Sequence, residues 1–218
     1  MSDLFDNTLL TLNNPKESEV EFIPLISAEE EEVTNNTAYP EELPILPLRN
    51  NVLFPGVVIP ITVGRDKSIK LIQDANKGSK IIGVVSQKNQ EEESPGFDDL
   101  YKVGTVAQII KLLKMPDGST TVIIQGKRKF EMVSCVKEEP YIFANVKMVV
   151  EKKLPKKSKE LDVMFSTIKE LALQIIKDSP NIPSEASFAT GNIESPTFLV
   201  NFISSNMNAD VVKKQSML

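Results

Sequence analysis

Residue types that carry out nucleophilic, acid–base and metal chemistry are scarce in this sequence. Its 218 residues include no histidine, which excludes a Ser-His-Asp triad, a Cys-His pair and an imidazole ligand for zinc. Cys135 is the single cysteine, so neither an intramolecular disulfide nor a pair of thiolate ligands can form. It lies in the alternating apolar run 130–136, which predicts a buried or half-buried side chain rather than a nucleophile.

Nucleotide-binding and acidic-pair motifs are missing as well. Neither Gly78-Ser79-Lys80 nor Gly126-Lys127-Arg128 has the spacing of a P-loop, and no G-x-G-x-x-G or G-x-S-x-G sequence occurs. The acidic pairs at 98–99 and 138–139 stand in polar loops, where solvated charge explains them better than acid–base catalysis does. The residues alone therefore predict a module without catalysis, cofactor or metal.

Basic residues gather at Lys127–Lys129 and in a lysine run between 152 and 159, and both groups could contact phosphates. Nucleic-acid binding would be better supported by interleaved aromatic side chains on which bases stack. Only Phe130 and Tyr141 are near, and both fit the strand alternation as core residues. Solvated lysines that deter edge-to-edge strand pairing are the better explanation, so we expect nucleic acid to be the weaker candidate partner.

The net charge of −5 hides a strongly acidic N-terminal segment. Residues 1–42 hold eleven acidic residues and one lysine, a charge of −10, which leaves +5 for the remainder. This composition predicts a mostly disordered tail, in which the apolar stretch Val20–Ile26 is either unstructured or a short motif that docks on a partner or on the rest of the chain. The acidic N-terminus is unlike a secretory signal and no apolar run suffices for a membrane helix, so we expect a cytoplasmic protein without membrane contact.

The elements that would position any site begin at Leu43. Period-two apolar runs separated by turn residues predict six or seven short, mostly antiparallel strands with one helix, an α+β or small-barrel domain over residues 43–150. Prolines in the first run predict a strand at an edge or a margin of the sheet, and Asp66 predicts the cap of a helix over Lys67–Asn76. Gly126 predicts a bulge or corner between two strands, Thr120–Ile124 and Phe130–Val136.

The hydrophobic period changes to about 3.6 after residue 158, which predicts a helical subdomain over residues 151–218. Ser158 is the expected cap of its first helix, whose wide apolar stripe we interpret as packing surface. Further helices are predicted over Ser184–Thr190, from Ser195-Pro196 and from Asp210. Because the sequence stops early in the last of these, we expect an incomplete, truncated bundle.

Four ordered sequence blocks resemble the N-terminal domain of Lon protease. They are LPILPLRNNVLFPG at 43–56, IPITVGRDKSI at 59–69, VGTVA at 103–107 and LKMPDG at 113–118. The resemblance covers about Leu43 to Leu218, and the acidic head is similar to heads on Lon proteins of the Bacteroidetes type. It implies a PUA-like pseudo-barrel followed by helices.

In the Lon family this region captures unfolded or tagged proteins and helps to hold a homohexamer together. An AAA+ module that uses ATP and Mg then unfolds the substrate, and a Ser-Lys peptidase cuts it. No position here matches those two modules, so the resemblance implies no catalysis and no cofactor in this segment. The alternatives are a stand-alone Lon-domain adaptor and an RNA-binding module, since PUA-like folds include RNA readers.

Capture of unfolded chains requires exposed apolar surface or an open strand edge. We therefore predict four residues that contact substrate: Phe54 beside a Pro-Gly turn, Phe97 in an acidic loop, and Leu113 with Met115 at a hairpin tip. Phe54 could equally anchor the core, and Leu113 could face inward.

Overall fold

The structure, a computed structural model, describes residues 37–115, 119–150, 158–179 and 184–218. The predicted tail up to residue 36, the hairpin tip at 116–118 and the connector at 151–157 lie outside these residues. The first part contains β1 (Glu42–Leu48), β2 (Val58–Val63), α1 (Asp66–Lys77), β3 (Ile81–Ser86), β4 (Val103–Lys114), β5 (Thr120–Lys137) and β6 (Phe143–Met148), with a 3-10 turn at Phe97–Asp99. The second part contains α2 (Lys159–Asp178), α3 (Ser184–Gly191), α4 (Pro196–Asn206) and α5 (Val211–Met217).

The six strands form one sheet in the order β2-β5-β4-β3-β1-β6, and β6 also pairs with β5. The strands from β5 to β6 therefore close into a ring, with β2 attached outside it. All pairs are antiparallel except β1 with β3. The predicted α+β pseudo-barrel is confirmed, although register shifts in β4 and β5 keep it from being a regular barrel.

β5 joins two segments that the sequence predicted as separate strands. The predicted irregularity at Gly126 is confirmed, because the pairing with β4 shifts register between Thr105↔Lys129 and Ala107↔Gly126. A Cβ atom on Gly126 would lie 2.2 Å from the Phe54 carbonyl oxygen, so only glycine fits this close approach of two backbone segments.

β1 lies between β3 and β6, so the prediction of an edge strand is wrong. Residues 42–44 pair with β6 and residues 45–48 pair with β3. Each half of β1 thus has a ladder partner on one side. Pro44 and Pro47 have no N–H group to donate. Each lies in a half of β1 that has a partner strand on one side only, so a missing N–H group on the unpaired side costs no hydrogen bond between strands.

Local signals at the helix starts are mostly confirmed. Ser158, Ser195 and Asp210 each accept a hydrogen bond from the backbone N–H three residues later, as N-caps do. The predicted cap Asp66 is instead the first residue of α1, and Arg65 occupies the cap position without a side-chain bond. A carboxylate in the first turn still interacts favourably with the helix dipole.

A hydrophobic cluster connects the sheet with the helices. It contains Leu53 and Phe54 from the loop after β1, and Ile193, Phe198 and Leu199 from the helical part. A second cluster lies around Phe130 and is built from strand residues and their loops. The boundary predicted at 150/151 stays a prediction, and the first cluster contains residues from both sides of it.

α2 is 20 residues long and has no buried residue. Phe165 and Ile168 are half-buried and pack against the first cluster. Met164, Leu171 and Ile175 are more than half exposed, so for these three the interpretation of the stripe as packing surface stays a prediction, since no described residue covers them. Among the described residues, no helix combines the length and the apolarity that a membrane crossing requires.

Candidate functional site

The four predicted contact residues occupy different environments. Phe54 is 0% exposed and belongs to the first hydrophobic cluster. The chain around it is held by the hydrogen bond from the Gly126 N–H group to the Val57 carbonyl oxygen, 2.8 Å long. With no accessible surface, Phe54 acts as a core anchor, and its predicted contact with substrate is corrected.

Phe97 is half-buried against the second cluster. Its backbone N–H donates to Glu138 Oε1 at 2.9 Å, which fastens the loop between β3 and β4 to the end of β5. The same loop is held from inside by Gln87, whose Nε2 donates to the carbonyl oxygens of Asn89 and Glu92. Phe97 therefore lies on an anchored loop.

Arg65 completes the anchor of this loop. Its Nη2 donates to Gln87 Oε1 at 2.9 Å and to the Glu92 carbonyl oxygen at 3.0 Å. Partial burial and the charge of nearby Arg49 lower the pKa of Arg65, and the carboxylates of Glu93 and Glu92 oppose that shift. Arg65 stays charged even so, and its guanidinium group holds the loop in place through these hydrogen bonds.

Leu113 and Met115 lie at the opposite end of β4 from Phe97. The ten residue steps from Val103 to Leu113 span roughly 30 Å in an extended strand. The structure therefore brings Leu113 and Met115 together and leaves Phe97 apart from them.

Leu113 and Met115 belong to a three-stranded projection of the sheet, which we call the hairpin arm: residues 109–115 and 119–125 with β2. β5 is its middle strand, paired with β4 up to Lys114↔Thr120 and with β2 up to Val63↔Thr120. Met115 N–H donates to the Ser119 carbonyl oxygen at 2.9 Å and closes the hairpin. The arm is thus positioned by backbone hydrogen bonds.

Apolar side chains are exposed along β4 in the arm. Ile110 is 51% exposed and Met115 is 45% exposed, while Leu112 and Leu113 are half-buried. Ile110 was missed by sequence reasoning because a bulge between Ile109 and Lys111 interrupts the alternation. Lys111 and Lys114 are exposed beside these side chains, and residues 108–115 and 119–125 include no acidic residue.

One edge of the arm is open. β3 pairs with β4 only as far as Ile81↔Gln108, and one further bond runs from the Ile109 N–H to the Lys80 carbonyl oxygen at 2.8 Å. From Ile110 to Lys114 the outer side of β4 has no hydrogen-bond partner within the described part of the chain. An open edge with half-exposed apolar side chains is suited to holding an extended polypeptide.

The second exposed apolar surface was not found from the sequence. It consists of Met164, Leu171 and Ile175 on α2 with Phe188 on the adjacent α3, all more than half exposed. The 3.6-residue period identified the helix and its stripe, but it does not tell which part of a wide stripe a neighbour covers.

Cys135 is exposed, so the prediction of a buried or half-buried side chain is wrong. The inside-outside alternation of β5 ends at Met132, and the pairing with β6 shifts register on both sides of Ser134 and Cys135. Partial desolvation raises the pKa of the thiol, and the carboxylates of Glu138 and Asp98 raise it further. A thiol with a raised pKa is a poor nucleophile.

A cleft of about 530 Å³ lies between the start of β4 and α5. Among the described residues its lining includes Lys88, Lys102 and Lys129 and no acidic side chain, so its side chains are suited to an anion and not to a metal ion. Gln215 Nε2 donates to the Val103 carbonyl oxygen at 2.8 Å across it. None of the four predicted contact residues lines the cleft, and no cluster of three potential metal ligands occurs among the described residues.

Lys127, Arg128 and Lys129, which suggested a nucleic-acid surface, are half-buried in β5. Lys127 Nζ donates to Gln125 Oε1 at 2.6 Å, and Arg128 Nη2 reaches the Val149 carbonyl oxygen at 3.4 Å. These contacts engage Lys127 and Arg128 within the protein, whereas Lys129 lines the cleft described above.

Family models, curated sequences and solved structures include several that are similar to this chain. The model of the ATP-dependent protease La (LON) substrate-binding domain matches residues 42–218. Curated relatives named Lon protease come from Flavobacterium johnsoniae, 58% identical over 217 residues, and Cytophaga hutchinsonii, 49% identical over 199 residues. These alignments cover 98% and 91% of this chain but 27% and 24% of the relatives, so the chain spans about a quarter of their length.

A solved structure, the N terminal domain of Mycobacterium avium complex Lon protease, is similar to this one with a TM-score of 0.65. The match covers 81% of this chain and 89% of that chain at 17% sequence identity. At that identity the likeness shows the fold alone.

Proposed function

The chain belongs to the family of ATP-dependent protease La (LON) substrate-binding domains, and on this basis we propose that it is the substrate-recognition and oligomer-supporting N-terminal region of an ATP-dependent Lon protease. Its substrates would be unfolded or tagged proteins, including misfolded and regulatory ones, and its other partners would be further subunits of a homohexamer. We assign no catalysis to this segment, and ATP and Mg would act in another part of the whole protease. We further propose a cytoplasmic location.

The observation that supports substrate recognition best is the exposure of apolar side chains on the hairpin arm. Ile110 in β4 and Met115 directly after it are each about half exposed, and the described residues of the arm include no acidic residue. Leu113 lies between them and adds a half-buried apolar surface. Removing such side chains from water lowers the free energy of the complex when an unfolded chain covers them.

The test is the affinity for an unfolded model protein, reduced and alkylated lysozyme, measured by fluorescence anisotropy. Complete burial of an apolar side chain is worth about 1.5–3 kcal/mol, so covering the exposed half of Met115 or of Ile110 gains about 1 kcal/mol. We expect Met115→Ser or Ile110→Ser to raise Kd about five-fold, and both together about thirty-fold.

Val133→Ser is the matched control, because Val133 is also apolar and exposed but lies in β5 beyond the arm. It should leave Kd unchanged, and circular dichroism should report the same fold for all variants. Equal affinity of the wild type and the Met115→Ser, Ile110→Ser double variant would refute the assignment. Phe97 stays a separate predicted contact, which Phe97→Ser tests in the same assay.

The oligomer-supporting part of the proposal rests on the exposed apolar surface of α2 and α3. Leu171 and Ile175 lie four residues apart on one face of α2, and no described residue buries them. Sedimentation velocity of the chain should show self-association that Leu171→Glu with Ile175→Glu abolishes. Val212→Glu, at an exposed position on α5, should have no effect. A wild-type chain that is monomeric at 100 µM would contradict this part.

RNA binding is a less supported alternative because Lys127–Lys129 is half-buried and engaged within the protein. A salt-dependent gel shift on single-stranded RNA would favour it, and no binding at low salt would remove it. The other alternative, a stand-alone adaptor, is decided by whether the gene continues into a nucleotide-binding motif beyond the codon for Leu218.

A further inference from the structure

We propose that the open edge of β4, residues 110–114, binds an extended polypeptide as an added β-strand, and that it prefers segments in which two adjacent apolar residues are flanked by carboxylates. The inference rests on the proposed function, because it specifies how the hairpin arm recognises an unfolded substrate and which sequences it favours.

The direction of the free backbone groups follows from the hydrogen bonds of the arm. Met115 N–H points into the hairpin, toward Ser119, at 2.9 Å. Because N–H groups alternate sides along a strand, the N–H group of Leu113 also points toward β5. The N–H groups of Leu112 and Lys114 point toward the open side. Ile109 N–H faces the outer side too, and the bulge at Ile110 accounts for the change of phase between them.

The opposite edge of the arm is less suited to strand addition. It is formed by β2, whose Pro60 is exposed and has no N–H group to donate. An added strand at β4 would meet the N–H and carbonyl groups of Leu112 and Lys114. We therefore assign the binding edge to β4.

The side chains along this edge determine which strand fits. In an added strand, a residue directly opposite lies about 4.5–5.5 Å away between Cβ atoms, close enough for side-chain pairing. Lys111 and Lys114 are exposed and flank Leu112 and Leu113. Carboxylates opposite the lysines and apolar residues opposite the leucines give the order acidic, apolar, apolar, acidic, which reads the same for a parallel and an antiparallel strand.

The same lysines argue against a second copy of this edge as the occupant. Residues 110–114 of a second copy offer no carboxylate to either lysine, and antiparallel pairing of two copies centred on Lys114 would place the two Lys114 side chains opposite each other, where like charges are destabilising. The acidic partner strand has the complementary charge.

The experiment uses the isotopically labelled chain and the peptide acetyl-Thr-Glu-Val-Val-Glu-Thr-amide, followed by NMR. The amide signals of Leu112 and Lys114 should shift and exchange more slowly on binding, whereas the amide of Leu113 should keep its protection. A peptide with both glutamates replaced by lysine should bind about ten-fold more weakly, because two favourable cross-strand charge pairs become repulsive.

Backbone pairing is tested by two peptides, each N-methylated at one of the two valines. Adjacent N–H groups of a strand point to opposite sides, so one methylation should raise Kd at least five-fold and the other should change it little. Lys114→Pro removes an outward N–H group, and Lys114→Ala removes the charge but keeps that group. We expect Kd of the proline variant to exceed that of the alanine variant about five-fold.

Failure of this inference differs from failure of the proposed function. If lysozyme binding depends on Met115 but both N-methyl peptides bind as well as the parent, the arm recognises apolar side chains without strand addition and the inference is wrong. Failure of the parent peptide to bind at millimolar concentration overturns it as well. If Lys114→Pro does not fold, the peptide methylation series on the wild-type chain decides.

Discussion

Replacement of Leu199 by alanine is expected to destabilise the β-rich part of the chain, although Leu199 lies in α4. Leu199 is 0% exposed and belongs to the hydrophobic cluster that contains Leu53 and Phe54. The Asn201 Nδ2 group also donates to the Pro55 carbonyl oxygen at 3.1 Å, so α4 contacts the loop after β1 directly. Because the cluster is shared, a cavity in α4 should weaken both parts.

The magnitude follows from the burial of this side chain. A fully buried Leu→Ala replacement costs about 2.7–5 kcal/mol, through the lost transfer free energy and the cavity that remains. Val200 is the matched control, because it is the neighbouring residue and is 47% exposed. Val200→Ala should cost less than about 1 kcal/mol, since only half of its side chain is shielded and alanine favours the helix.

Tyrosine fluorescence makes the assay selective. The chain has no tryptophan, and its three tyrosines, Tyr39, Tyr101 and Tyr141, all lie in the β-rich part. Urea unfolding should therefore be followed by tyrosine fluorescence and by far-UV circular dichroism together. With a urea slope of about 2 kcal/mol per molar, a loss of about 3 kcal/mol lowers the midpoint by about 1.5 M.

Both probes should shift by the same amount in Leu199→Ala. If the tyrosine transition stays at the wild-type midpoint while part of the helical signal is lost at lower urea, the helices unfold on their own. That outcome would refute the shared core and would favour two separate domains with a boundary near residue 150.

Three further predictions concern single positions. Gly126→Ala should lower stability by more than about 2 kcal/mol in a thermal melt, because its Cβ would meet the Phe54 carbonyl oxygen, whereas Gly64→Ala, with no atom within 4 Å, should cost far less. Alkylation of Cys135 by iodoacetamide at pH 8 should be slower than that of an unfolded cysteine, since the pKa of Cys135 is raised and less thiolate is present. The two rates should converge above that pKa. Glu138→Gln should increase the alkylation rate of Cys135 in the folded protein, because it removes a carboxylate that raises this pKa. The exposed ion pair of Lys67 Nζ and Glu139 Oε1, 2.6 Å apart, should contribute less than about 1 kcal/mol in a double-mutant cycle, and a larger coupling would contradict its exposure.

Features that depend on a few neighbouring residues could be predicted from the sequence. The caps Ser158, Ser195 and Asp210 act within one helical turn, so residue type and position were sufficient. The bulge at Gly126 was also predictable, because glycine in an apolar strand marks a close approach. The partner in that approach, Phe54, lies 72 residues away in the sequence. Its location required the folded chain.

Features that depend on which strands meet could not be predicted in this way. β1 changes its partner from β6 to β3 at Ile45, and its prolines were misread because no local pattern encodes that change. Cys135 follows a regular apolar alternation, yet its segment extends beyond the core toward the turn with β6. In both cases the residue pattern predicted the strand correctly but did not indicate which strands lie beside it.

The hairpin arm lies between these two cases. The apolar runs of the sequence at these two strands, Val103–Leu113 for β4 and Ile81–Val85 for β3, are about eleven and five residues long, and two antiparallel neighbours of such different length cannot be paired throughout. If β3 pairs with the first half of β4, the second half must project with one edge open, unless another strand covers it. The lengths observed, 12 and 6 residues, produce this arrangement, with pairing that stops at Gln108. The sequence feature that indicates the candidate site is therefore the difference in length between the two strands. It predicts an open edge only when the order of the strands in the sheet is known. Phe54 and Phe97 were proposed from local turn and loop composition; Phe54 is fully covered and Phe97 is half-buried in the structure, because composition does not determine which neighbour covers a side chain. Met115 is exposed because β4 is longer than β3, which is a physical reason for exposure that a search of other sequences can use directly.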